Sequence, residues 1–87
     1  MQKLVQVQEV EGEGLVSLLG ERVLLFCSNY FYSGKLTGVN ATCVLLEDAG
    51  IVYETGPFTD KQYKDYQRVG DKVYVQTSFI ESFTKGK

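Results

Sequence analysis

Few residues of this sequence are of a type that does covalent or metal chemistry. The chain has no histidine, two cysteines, Cys27 and Cys43, and one adjacent carboxylate pair, Glu47 and Asp48. Without histidine neither a Ser–His nor a Cys–His pair can be built, and a metal could be held only by carboxylates or thiolates. The cysteines lie sixteen positions apart, which is not the spacing of a zinc site. We therefore expect a protein that is not an enzyme, with no catalytic residue, metal, cofactor or small-molecule substrate.

The composition is that of one ordinary soluble domain, residues 1–87. Of these residues 44% are hydrophobic and 23% are charged, and the net charge is −2. Such a chain lacks the global basic surface of an avid nucleic-acid binder, although a local site stays open. No apolar run reaches the length of a membrane span, and the N-terminus has no signal-peptide pattern. We expect a cytoplasmic protein whose cysteines are buried, reduced thiols rather than a disulfide.

The first part of the chain predicts an arm and a helix. Residues 1–11 alternate loosely between apolar and polar side chains, which indicates a weak strand or an extended arm. Leu15, Leu18 and Leu19 share one helical face, and a glycine follows them as a natural stop. This spacing predicts a helix over residues 14–20 that packs its leucines against the rest of the fold, because so short a helix is not stable alone.

Two strands joined by a short connection form the centre of the sequence, residues 34–48. The first of them carries Leu36 and Val39 and is interrupted by Gly34 and Gly38. Glycines weaken a flat strand, so this pair favours a strand that is sharply bent. Five strongly bent strands are what closure of a small barrel requires. The preceding strand is apolar at consecutive positions and is expected to be buried on both faces.

A short helix is also predicted after the third strand. Thr59 followed by Gln62 has the pattern of a capping box, and Phe58 with Tyr63 has that of a hydrophobic staple. These signals predict a helix from position 60 to about 66. The same mixture of polar and aromatic residues also fits an extended hairpin loop.

Together these patterns predict a mostly β fold, a small, strongly bent five-stranded antiparallel barrel with an N-terminal α-helix. Strands 1–3 are assigned to residues 21–56, an inserted short helix or loop to residues 57–70, and strands 4 and 5 to residues 71–84. The insertion is rich in tyrosine. We expect it to be either a surface for a partner or a cap over an open end of the barrel.

The central unit and the last two strands resemble the two motifs of the Sm and Sm-like (LSm, Hfq-related) family. The first motif stands here as Gly34-Lys-Leu-Thr-Gly-Val-Asn40 followed by Cys43-Val-Leu-Leu-Glu-Asp-Ala49. The second stands as Val73-Tyr-Val-Gln-Thr-Ser-Phe-Ile80. The resemblance covers most of the chain from residue 15 to residue 80. It implies an SH3-like barrel that assembles into a ring.

The family holds uridine-rich RNA near the pore of its ring, and the matching residues here differ in type. Asn40 stands for the family's aspartate and Cys43 for its asparagine. Gln76 stands for its arginine, Thr77 for its glycine and Thr42 for a large stacking residue. A thiol cannot replace the hydrogen bonds of an amide, and a glutamine lacks the cation that attracts phosphate. The RNA-binding residues that the resemblance implies are Asn40, Thr42, Cys43, Gln76, Thr77 and Ser78.

Two functions from different classes stay open. One is an Sm-like ring that binds single-stranded RNA with an altered base preference. This function is favoured by analogy, because members of the family often bind RNA. The other is an Sm-like module for assembly or protein interaction that has lost RNA binding, which the acidic balance and the missing arginine favour. In both cases the last two strands leave unprotected edges, and the resemblance implies a homo-oligomeric ring of about five to seven subunits. The expected interface residues are Val73, Val75, Phe79, Ile80 and Phe83.

Overall fold

Five antiparallel strands form one sheet in the computed structural model, which describes residues 14–87. Neighbouring strands in the sheet follow the order fourth, third, second, first, fifth, and every neighbouring pair is antiparallel. The predicted mostly β fold with five antiparallel strands is confirmed. The predicted N-terminal arm, residues 1–11, lies outside the described residues. The strands are β1 (Arg22–Cys27), β2 (Phe31–Val39), β3 (Cys43–Glu54), β4 (Asp65–Gln76) and β5 (Ile80–Lys85).

The sheet is not closed, so the predicted closure into a barrel is wrong. Within the described residues β4 pairs only with β3, and β5 pairs only with β1. The cause lies in the link between them, the 3₁₀ helix Thr77–Phe79, which follows β4 directly. The N–H of Ser28 donates to the carbonyl of Phe79 at 3.2 Å, which carries the chain over to β1. β4 and β5 therefore diverge from a shared turn, and each keeps one edge without a partner among residues 14–87.

The predicted N-terminal α-helix over residues 14–20 is also wrong, because the chain forms only a 3₁₀ turn at Leu15–Leu18. The segment joins the sheet before a longer helix can form. The N–H of Gly20 donates to the carbonyl of Leu36 at 2.7 Å, and the N–H of Leu36 donates to the carbonyl of Glu21 at 2.9 Å. None of residues 14–87 belongs to a helix long and apolar enough to cross a membrane.

The centre of the core comes from β1. Its consecutive apolar residues 23–25 are fully buried, which confirms the expectation of a strand covered on both faces. Leu15 and Leu18 of the 3₁₀ turn are half-buried against this core, whereas Leu19 is exposed. Full burial of a leucine or valine side chain contributes about 1.5–3 kcal/mol, so this small cluster accounts for much of the stability of the fold. The other fully buried apolar residues among residues 14–87 are Leu36, Val44, Leu46 and Ala49.

The register of β2 and β3 is irregular at two places, between Leu36 and Gly38 and at the bulge where Gly34 faces Asp48 and Ala49. The register of the two strands shifts here, from Ser33 opposite Gly50 to Lys35 opposite Glu47. A Cβ atom on Gly34 would lie 3.0 Å from the Cβ atoms of both Leu46 and Ala49, which is tighter than ordinary packing. Asp48 has a φ of +48°, a left-handed conformation that aspartate adopts more readily than most residues. The bend therefore depends on the missing side chain of Gly34.

The carboxylate of Asp48 joins the bulge to the strands on either side. It accepts a hydrogen bond from Arg68 Nε of β4 at 2.8 Å and from Arg22 Nη1 of β1 at 3.2 Å. The hydrogen bond from Arg68 is the main reason that the pKa of Asp48 lies below its ordinary value of 3.8, and the charges of Arg22 and Arg68 act in the same direction. Because these groups are exposed, the contacts position the bulge more than they stabilise the fold.

Of the two alternatives for the insertion, the structure has the loop and not the helix from position 60 to 66, and β4 already begins at Asp65, within the range 57–70 assigned to the insertion. The N–H of Asp60 donates to the carbonyl of Pro57 at 3.0 Å, which makes a turn. The chain then returns to the sheet, where Asp65 pairs with Glu54. Backbone pairing of the long β4 with β3 outweighs the local capping signals, since the ladder satisfies the backbone groups that face β3 along the whole strand. The connection is therefore the loop formed by residues 55–64.

Replacing Gly34 with alanine is expected to destabilise the protein by about 1–3 kcal/mol, because the new methyl group overpacks the bend. Gly38→Ala is the matched control on the same strand. Its Cβ would meet only the Cβ of Leu45, at 3.4 Å, and we expect a change within about 0.5 kcal/mol. Urea denaturation of the two variants measures the difference. Equal costs would show that the bend does not depend on Gly34.

The Asp48 bridge should make stability fall in acid. Since the folded state lowers the pKa of this carboxyl group, its contribution is present above the ordinary value of 3.8 and is lost as the pH falls through the lower folded value. Asp48→Asn keeps a residue that tolerates positive φ but cannot ionise. The stability difference between the wild type and Asp48→Asn, measured by urea denaturation from neutral pH downward, should shrink below that range. A stability difference that does not change with pH would contradict a contribution of the ionised Asp48 to stability.

Candidate nucleic-acid interface

The connection between β2 and β3 meets the turn between β4 and β5. The N–H of Thr77 donates to the carbonyl of Thr42 at 2.9 Å, and its hydroxyl donates to the carbonyl of Ala41 at 3.1 Å. Cys43 at the start of β3 lies opposite Gln76 at the end of β4. These contacts hold the two connections together and leave an open cleft between them. The cleft is lined by Ala41, Thr42, Cys43, Tyr74, Gln76, Thr77 and Ser78.

Asn40 organises the first connection and is not among the lining residues. Its side-chain oxygen accepts hydrogen bonds from the N–H of Thr42 at 2.8 Å and of Cys43 at 2.9 Å, and from the Thr42 hydroxyl at 3.1 Å. Such bonds from backbone to an asparagine side chain define an Asx-type turn. Because this oxygen is already committed, Asn40 shapes the turn rather than offering its carbonyl to a ligand.

The polar residues of the cleft fall into two groups. Thr77 and Thr42 use their hydroxyl groups within the protein, as described above. Gln76 and Ser78 are exposed, and within the described residues their side chains make no hydrogen bond with the protein. Cys43 is a half-buried free thiol beside them. The groups available to a ligand are therefore an amide, a hydroxyl and a thiol.

Two residues that line the cleft were not predicted from the sequence, Ala41 and Tyr74, and of these Tyr74 has a side chain that can contact a ligand. β4 alternates at its end, so Val73 and Val75 face the core while Tyr74 and Gln76 share the other face. The ring of Tyr74 is 66% exposed. The alternation of apolar and polar residues along β4 indicated that Tyr74 faces outward. Its position beside the first connection depends on the pairing of Tyr74 with Leu45, which the sequence does not reveal. An exposed aromatic ring next to hydrogen-bonding groups can stack a planar base.

A second, smaller cavity also borders the end of β4 and shares Tyr74 and Gln76 with the cleft. Its volume is about 140 Å³, and its walls include Cys27, Tyr30 and Phe79. Burial raises the pKa of the Cys27 thiol, and the Glu81 carboxylate adds to the effect. Cys27 is therefore a protonated thiol at neutral pH, which is a poor nucleophile and a poor metal ligand.

The five expected interface residues take different positions in the single chain. Val75 is buried in the core, and Val73 and Ile80 are half-buried against it. Phe79 and Phe83 are exposed, on the 3₁₀ turn and on β5. Exposed phenylalanines next to an unpaired strand edge form a surface suited to another protein chain.

No protein-family model matches the chain, and no curated protein matches it significantly. The resemblance to the Sm-like family therefore stays a prediction that its residues carry.

Asn40→Ala should destabilise the protein by about 1 kcal/mol, because the N–H groups of Thr42 and Cys43 lose their shared acceptor. Asn40→Asp is the matched control, since a carboxylate oxygen accepts the same bonds. We expect its stability to lie within about 0.5 kcal/mol of the wild type. Urea denaturation measures both values. An Asn40→Ala variant as stable as Asn40→Asp would show that the turn does not depend on this oxygen.

Proposed function

We propose that this protein is a divergent Sm-like, ring-forming protein that binds bases of single-stranded RNA in the cleft between its two polar connections. The observation that carries the proposal is the convergence of these connections. Five of the six residues that the resemblance implies for RNA binding line one cleft, and an exposed tyrosine stands beside them. Single-stranded RNA is recognised by stacking of its splayed bases and by hydrogen bonds to their edges.

The chemistry of the cleft favours contacts with bases over contacts with phosphates. Tyr74 provides a ring on which a base can stack, and stacking tolerates any sequence. The amide of Gln76 offers both a donor and an acceptor to the edge of that base, and the Ser78 hydroxyl offers the same in smaller form. None of the residues lining the cleft is charged. Binding is therefore weak, and it depends little on salt because few counterions are released.

A ring is supported by the two open edges of the sheet. β4 and β5 each end the sheet without a partner among residues 14–87. Both carry exposed apolar side chains, Val69 on β4 and Phe83 on β5, with Phe79 on the turn between them. Pairing of β4 of one copy with β5 of the next would satisfy the backbone and cover these side chains. Such a head-to-tail contact closes into a ring when its rotation divides a full turn.

The second candidate is an assembly or interaction module that does not bind RNA. The specific observation in its favour is that the cleft has no cation, whereas exposed aromatic side chains are numerous, including Tyr30, Phe58 and Phe79. In this alternative the ring and its fold are the same, and the partner is a protein. Under either candidate we place the protein in the cytoplasm, whose reducing conditions suit the free thiols of Cys27 and Cys43.

Fluorescence anisotropy with labelled oligo-U, oligo-A and a mixed RNA tests the binding proposal. Tyr74→Ala should weaken binding by about fivefold to 150-fold, because one stacked base contributes about 1–3 kcal/mol. Tyr53→Ala is the matched control, since its ring is 53% exposed but lies on β3 outside the cleft. Equal losses in the two variants would contradict the site. Absence of binding by the wild type to all three RNAs would favour the interaction module.

Charged substitutions at the strand edges test the ring. Val69→Lys and Phe83→Lys should each shift the protein to smaller species in sedimentation velocity, because the pairing of two copies would bury an unpaired charge. Tyr53→Lys, at a position about as exposed as Val69 but on β3, should sediment like the wild type. Edge variants that keep the sedimentation of the wild type would contradict pairing through β4 and β5.

A further inference from the structure

The ammonium group of Lys87 is enclosed by backbone carbonyl groups of the 55–64 loop. Its Nζ atom donates to the carbonyl oxygen of Pro57 at 2.8 Å, of Thr55 at 3.0 Å and of Gln62 at 3.1 Å. A lysine ammonium group has three N–H donors, so these three acceptors use all of them. Among residues 14–87 no carboxylate lies within ion-pairing distance of this group. Neutral acceptors therefore hold this cation.

Two aromatic rings complete the enclosure. The Nζ atom lies 5.1 Å from the centre of the Tyr63 ring and 5.5 Å from that of Phe58, within the range of a cation–π interaction. Tyr63 is itself fixed in place. Its hydroxyl oxygen accepts a hydrogen bond from the fully buried Ser33 at 3.4 Å, and its ring stacks on that of Tyr66 at 5.8 Å. We call the three carbonyl groups and two rings the ammonium cage.

The backbone before Lys87 directs the side chain into the cage. The N–H of Gly86 donates to the carbonyl of Arg22 at 2.9 Å, and the N–H of Lys87 donates to the Tyr63 hydroxyl at 3.0 Å. Arg22 Nε donates to the carbonyl of Lys87 at 3.1 Å. Gly86 lies so close to Val23 that a Cβ atom would be 2.8 Å from its backbone. The backbone of Gly86 and Lys87 is therefore fixed by Arg22 on one side and Tyr63 on the other, and this orients the Lys87 side chain toward the cage.

We propose that the 55–64 loop is a binding site for a primary alkylammonium group, which the chain fills with Lys87. Three convergent carbonyl groups match the three donors of a primary ammonium, whereas the planar fork of an arginine does not present its donors in this way. A quaternary ammonium has no N–H to donate. With Lys87 in place, the site joins the segment after β5 to the loop before β4. These are the ends of the two edge strands farthest from their shared turn.

Chemical rescue tests the site. Lys87→Ala removes three carbons and the nitrogen, which propylammonium replaces, so we expect the midpoint of thermal unfolding to fall by roughly 5 °C or more. Propylammonium chloride should then restore at least half of the loss in a saturable manner. Tetramethylammonium chloride at the same concentration should restore none. The unfolding midpoint of Lys87→Met should fall as far, and propylammonium should not restore it. The methionine side chain fills the space that the aliphatic part of the Lys87 side chain occupies in the wild type.

Lys85→Ala is the control for the loss of a nearby lysine, since it removes only an exposed ion pair with Glu21. Its midpoint should stay within about 3 °C of the wild type. The proposal is overturned if Lys87→Ala melts with the wild type, or if propylammonium fails to restore it. It is also overturned if propylammonium stabilises Lys87→Met as much as Lys87→Ala.

A measurement on the unaltered protein decides the matter if Lys87→Ala does not fold. Brief acetylation followed by peptide mass spectrometry compares the reactivities of individual lysines. A caged ammonium must leave its hydrogen bonds before it reacts, so Lys87 should be acetylated about tenfold more slowly than the exposed Lys85 and Lys72. Equal rates for the three lysines would overturn the proposal.

Discussion

The shared bend of β2 and β3 is the constraint on which the rest of the structure depends. Gly34 leaves room for β3 to fold closely over it, and Asp48 takes the left-handed conformation that the bulge requires. On one side of the bend β3 begins at the polar cleft. On the other side it runs into the loop that encloses Lys87. A side chain at Gly34 would therefore disturb both sites at once, although it touches neither of them.

The open sheet gives the protein two kinds of connection between its edge strands. At one end β4 and β5 are joined covalently by the 3₁₀ turn, whose Thr77 also fixes the cleft. At the other end the contact is non-covalent and includes the Lys87 side chain in the ammonium cage and the Lys87 N–H bonded to the Tyr63 hydroxyl. Between these two points the outer edges of β4 and β5 keep unpaired backbone groups, which in water stay solvated or pair with another strand. In our proposal, copies of the protein assemble by pairing β4 of one copy with β5 of the next.

Features that depend on local chemistry could be predicted from the sequence, and features that depend on distant backbone could not. The consecutive apolar residues of β1 indicated burial on both faces, and the pair Gly34 and Gly38 indicated a bent strand, because each effect arises within a few residues. The capping pattern of Thr59 and Gln62 predicted a helix that does not form, because a local pattern contains no information about the long pairing of β4 with β3. Five of the six predicted cleft residues line the cleft, whereas Tyr74 needed the pairing of two strands to be found. The ammonium cage could not be predicted from the sequence, because its acceptors are backbone carbonyl groups, which every residue has.

The central claim is that neighbouring copies complete the outer edges of β4 and β5. Amide hydrogen exchange, followed on peptides that cover residues 31–39, 65–76 and 80–85, tests it most directly. Each edge strand has outward-facing amides that exchange quickly in an isolated chain and slowly in a paired one. The account predicts that protection of the two edge strands rises with protein concentration, while that of β2, paired on both sides, stays constant. Edge amides that exchange at one unprotected rate across the whole concentration range would contradict it.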